Sequence, residues 1–135
     1  MTMQAATDAA IAQARTWRRT GIWNVTHTDY AMAAELLTSL PWPTASAAEA
    51  AHAPLGTRLD HLRECLAALA VATATSRTPM GWFLGQCASV LAPVLQWQPD
   101  GTPDHATITP TPEEITGAEH ALTAIRNMLT TIQPH

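Results

Sequence analysis

The chain contains no lysine: all seven of its basic residues are arginine. A GC-rich coding sequence accounts for this, so the arginines point to a bacterial source and not to a function. Charge of either sign is scarce, at 13% of 135 residues, and the balance is −4. That is the wrong sign for a protein whose main task is to neutralise phosphates, so nucleic acid is not an expected partner. Aromatic rings other than indole are nearly absent, with one Phe and one Tyr against five Trp. No long apolar run occurs, and the one within 65–74 is too short to cross a bilayer. The first residues lack the basic and apolar regions of a signal peptide, so a cytoplasmic protein with no membrane association is expected. Two cysteines, Cys65 and Cys87, fall in apolar helical patterns and are expected to be free thiols.

Alanine is abundant, at 26 residues, and it favours thin, closely packed helices. The clearest helix is C-terminal. Thr111-Pro112-Glu113-Glu114 has the spacing of a capping box with proline at the first helical position. It leads into Ile115, Ala118, Leu122, Ile125, Leu129 and Ile132, an apolar seam that buries only against other helices.

Four further segments read as helices. Residues 4–20 carry Ala6, Ala10, Ala14 and Trp17 on one face, with Gly21 as C-cap. Residues 28–40 carry Tyr30, Ala33, Leu37 and Leu40, and Pro41 stops them. Another helix starts at Thr57 with Asp60 at the box position and a Leu59, Leu62, Leu66, Leu69 seam. The next has Thr78 as N-cap and Pro79 behind it, and Pro93 should kink or end it. Between Pro41 and Gly56, Ser46 and Glu49 are spaced to cap a short helix over 47–52. Residues 98–111 are turn formers and form the expected flexible loop. The expected fold is all-α: residues 1–135 as a single-domain bundle of four main helices plus a short connecting helix, mostly antiparallel.

Chemistry-bearing motifs are sparse. His61 and Cys65 lie one helical turn apart, and Cys87 on the following helix extends them to a possible three-ligand set. With His120, these residues mark the rival expectation of a small enzyme or ligand-binding bundle. Glu49-Ala-Ala-His52 matches one Glu-x-x-His element of di-iron bundles, but no second element occurs. Arg126-Asn127 is similar to the start of the HEPN ribonuclease motif, but the next histidine is His135, too far along the helix. There is no nucleophile elbow, Walker loop or His-Glu-x-x-His. No cofactor and no metal are expected.

The positive signal is tryptophan. Trp17 and Trp82 sit in helical patterns and read as packing residues. Trp42, between Pro41 and Pro43, either folds back as a core plug, the commoner fate, or stands outward as a rigid anchor. Trp23 and Trp97 are further candidate anchors. Arg15, Arg18 and Arg19 interleave with Trp17 as in single-strand nucleic-acid binders, although the C-terminal end of a helix dipole explains them equally well. The expected function is therefore a non-enzymatic interaction or structural protein: an accessory subunit, an adaptor or a self-associating bundle. Its expected partner is a protein or a second copy, with a small molecule left open and a nucleic-acid-associated regulator as the remaining alternative.

Overall fold

A computed structural model describes residues 3–43, 54–75, 77–93 and 110–131. It is an all-α bundle, with five helices and no strand among the described residues. These are α1 (Met3–Thr20), α2 (His27–Ser39), α3 (Leu55–Thr75), α4 (Pro79–Leu91) and α5 (Pro112–Thr130). There is thus one full helix for each capped or seamed segment, where the expected bundle counted four main ones. The short helix over 47–52, the loop residues 98–109 and Ile132 lie outside the described residues.

Local chemistry sets the ends. At α5, the Glu114 amide donates to Thr111 Oγ1 at 3.2 Å and the Thr111 amide donates to Glu114 Oε1 at 3.0 Å, so two otherwise orphaned donors are satisfied. α4 starts at Pro79 behind the Thr78 cap. It ends at Leu91 because Pro93 cannot continue the ladder. α1 ends where Gly21 takes a φ of +80, which lets the Ile22 and Trp23 amides return to the Trp17 carbonyl at 2.9 and 3.1 Å.

Two helix starts differ from expectation. α3 begins at Leu55, directly after Pro54, so Thr57 and Asp60 lie inside the helix and form no cap. α2 is capped two residues before Thr28, by Thr26 and Asp29, whose carboxylate replaces the usual Glu or Gln. Its inward face accordingly holds Asp29, Ala33 and Leu36. Tyr30 is exposed, and Leu37 and Leu40 are half-buried.

α4 packs against α3 and α1, while α5 packs on α1, α3 and α2. One core cluster draws on all five helices, with Leu66 and Leu69 of α3, Phe83 and Leu84 of α4, and Leu122 and Ile125 of α5 fully buried within it. α3 and α4 approach closely at Gly85, where a Cβ would stand 2.9 Å from Thr73 Cγ2. Arg58 of α3 grips α5 with both arms: its Nε donates to Glu119 Oε2 at 3.0 Å, and its Nη2 donates to Glu119 Oε1. Nη2 also reaches Thr116 Oγ1 at 3.3 Å. The hydrogen bonds to Glu119 raise the guanidinium pKa further above its ordinary value.

Candidate interaction surface

The tryptophans divide between the two sides of the core boundary. Trp42 is a plug. The chain reverses at Pro41, and the buried indole donates from Nε1 to the Leu36 carbonyl at 2.8 Å, pairing an acceptor that the end of α2 leaves open. The Pro41 carbonyl in turn faces the Cys65 thiol at 3.8 Å. Trp42 is thus inside the fold and not an outward anchor. Trp23 is also buried, edge-on to Phe83 at 6.1 Å between ring centroids. Its Nε1, like Thr7 Oγ1, has no hydrogen-bond partner among the described residues. Trp97 lies outside the described residues.

Trp82 goes the other way. It is 41% exposed and leans on half-buried Trp17 at a centroid distance of 4.7 Å and a tilt of 59°. The inward residues of α4 are Met80, Phe83, Leu84, Cys87 and Leu91. At roughly 100° per residue, position 82 falls opposite their mean direction. That phase was available in the sequence and is the signal that identifies Trp82 as the outward ring.

Beside the Trp17–Trp82 pair, a shallow groove of about 270 Å³ runs between α1 and α4. Ala6, Ala10 and Gln13 line it from α1, with exposed Ala9 at its outer edge, and Trp82, Gln86 and Val90 line it from α4. Trp17, late in α1, meets Trp82, early in α4, and the groove continues to Ala6 and Val90, so the two helices run antiparallel. Alanine makes this groove: its short side chain leaves a hollow where leucine would fill the gap between helices.

The other candidates do not assemble into a site. Arg15, Arg18 and Arg19 are exposed on α1, where Arg19 Nη2 donates to Thr16 Oγ1 at 3.2 Å. His61 and His120 are exposed, while Cys65 and Cys87 are buried, and no three His, Cys, Asp or Glu side chains among the described residues group to hold a metal. The three-ligand set of His61, Cys65 and Cys87 is therefore not formed. Burial pushes both thiols up to about 12, so at neutral pH neither is a nucleophile. Among the described residues no helix is long and apolar enough to cross a membrane.

Sequence reasoning also missed the Asp29 node. This buried carboxylate accepts the Thr26 amide through Oδ2 at 3.2 Å and the Thr78 hydroxyl through Oδ1 at 3.0 Å, so it serves the starts of both α2 and α4. Its local half was legible as Thr26-x-x-Asp29, whereas the Thr78 half is tertiary. No family model, no curated protein and no solved structure matches this chain.

Proposed function

We propose that this chain is a non-enzymatic interaction protein, an accessory subunit, adaptor or self-associating bundle, and that it docks a protein through the α1/α4 groove. The observation that carries this reading is Trp82, a large indole held outside the core against Trp17 beside an apolar hollow. Tryptophan is strongly enriched among residues that dominate binding energy, and a ring already braced by a neighbour loses little freedom when a partner covers it. The raised thiols, and histidines that gather into no metal-holding group among the described residues, support a binding role over a catalytic one.

The test is site-specific photo-crosslinking in the native cell, with the reactive residue at position 82 and a control at Val71, an apolar residue of α3 that is 64% exposed. A discrete adduct from position 82, absent from position 71, is the expected result. Equal, diffuse labelling from both positions, or none from either, contradicts docking through this groove.

A further inference from the structure

We infer that the occupant of the groove is a second copy of this chain, set antiparallel about a two-fold axis that passes beside α1 at the level of Ile11 and Ala12. This rests on the docking role given above to the α1/α4 face and adds the identity of the occupant. The groove differs from one end to the other. At one end the Trp17–Trp82 ridge stands up, and at the other the surface sinks to Ala6 beside Val90. Charge follows the same direction along α1, with exposed Asp8 towards the alanine end and exposed Arg15, Arg18 and Arg19 towards the indole end.

A single axis satisfies both gradients. Placed at the level of residues 11 and 12, it sets Trp17 opposite Ala6 of the second copy and Arg15 opposite Asp8 of the second copy. Ridge then enters hollow and cation meets carboxylate, twice over, as a two-fold interface requires. When two like helices pair antiparallel, the same flank of each faces the other. By the roughly 100° helical step, Asp8 and Arg15 share one flank of α1, the groove lies on the other, and exposed Ala9 and Ala12 lie between them. The groove lining itself carries no charge, only the amides of Gln13 and Gln86, so closure leaves the ion pairs at a solvated rim. That arrangement selects orientation and register more than it adds affinity.

The experiment is sedimentation of the full chain over a concentration series at low salt. Wild type is expected to dimerise reversibly. Asp8→Arg alone and Arg15→Asp alone each set like charges against each other and should raise the dimer dissociation constant by about tenfold or more. An equal mixture of these two variants should dimerise at wild-type concentrations, because every pair across the heterodimer is again opposite in sign. Trp82→Ala should weaken the dimer in both backgrounds, and unchanged melts of all three variants show that folding is not the cause. A wild-type chain that stays monomeric at its highest soluble concentration overturns the inference, as does a dimer indifferent to the charge reversals or one that mixing fails to restore. If the chain is monomeric yet position 82 crosslinks to a different protein, only the self-pairing fails. If no adduct forms either, the docking role fails with it.

Discussion

At the Pro41–Pro43 corner an indole is folded inward, and its N–H reaches the Leu36 carbonyl at 2.8 Å. On the outer face of α4 another indole is left 41% exposed, lying against Trp17. Both belong to the same helical bundle, and both have small or rigid residues beside them. What separates them is the service each environment offers the ring. The corner supplies an unpaired carbonyl at a helix end and a gap in the core, so the whole side chain is satisfied there. The α4 face supplies only one aromatic neighbour and open solvent. An indole placed like Trp82 adds little to folding, which makes it the ring with most to gain from a partner.

The largest effect should come from removing the inner ring. Trp42→Ala is expected to lower stability by about 3–5 kcal/mol in denaturant melts, through the cavity it opens and the carbonyl it strands. A loss as small as that of a surface change would place Trp42 outside the core after all.

The interior also sets an alkaline limit. Both buried thiols are raised from 9.0 to about 12. Below pH 9 they are neutral in both states and their full contribution is present. Above it, the unfolded chain ionises first and binds fewer protons than the native one. Stability should therefore fall as pH climbs from about 9 towards 12, by roughly 1.4 kcal/mol per pH unit for each thiol. The lack of lysine removes one of the side chains that commonly titrate in this window. Urea melts across that range are expected to flatten in steps for Cys87→Ala and for the double variant with Cys65→Ala. An unchanged slope in the double variant would remove the thiols as its cause.

Two phenylalanine substitutions refine the contrast between buried rings. Trp42→Phe loses an N–H that is bonded, whereas Trp23→Phe loses one that has no partner among the described residues. The first should cost more than the second by about 1–2 kcal/mol, since only the first leaves an acceptor stranded. Equal costs would mean that ring volume alone decides both positions. The smallest effect belongs to the outer ring: Trp82→Ala should shift the monomer melt by less than about 1 kcal/mol. A large loss would make Trp82 a structural residue and weaken its role in docking.

Much of the fold could be read from local chemistry. The cap and seam of α5, the Thr78–Pro79 start of α4, its end before Pro93 and the left-handed Gly21 each depend on residues within a turn or two of one another. Two local features were misread for physical reasons. Thr57 has box spacing to Asp60, but Leu55 and Gly56 already extend the helix behind Pro54. At α2, Asp29 fills the role usually taken by Glu or Gln. The Arg58–Glu119 clamp joins residues far apart in sequence, and neither partner carries a local mark of the other. Tryptophan location fell between these cases. For Trp42 the flanking prolines allow either a plug, the commoner fate, or an outward anchor, and only the tertiary position of the Leu36 carbonyl decides its burial, whereas the outward phase of Trp82 follows from the residues of its own helix.

The Asp29 carboxylate has a dynamic consequence. Its two oxygens serve helix starts that belong to different parts of the chain, through Thr26 in one case and Thr78 in the other. Thr78 Oγ1 also accepts the Gly81 amide at 3.4 Å, as Thr26 Oγ1 accepts the Asp29 amide at 3.1 Å. Fraying of either end deprives the other of a partner, so the two ends open together. In native-state hydrogen exchange the amides of Asp29 and Gly81 should share one opening free energy, and Asp29→Ala should release both, although only one lies on the mutated helix.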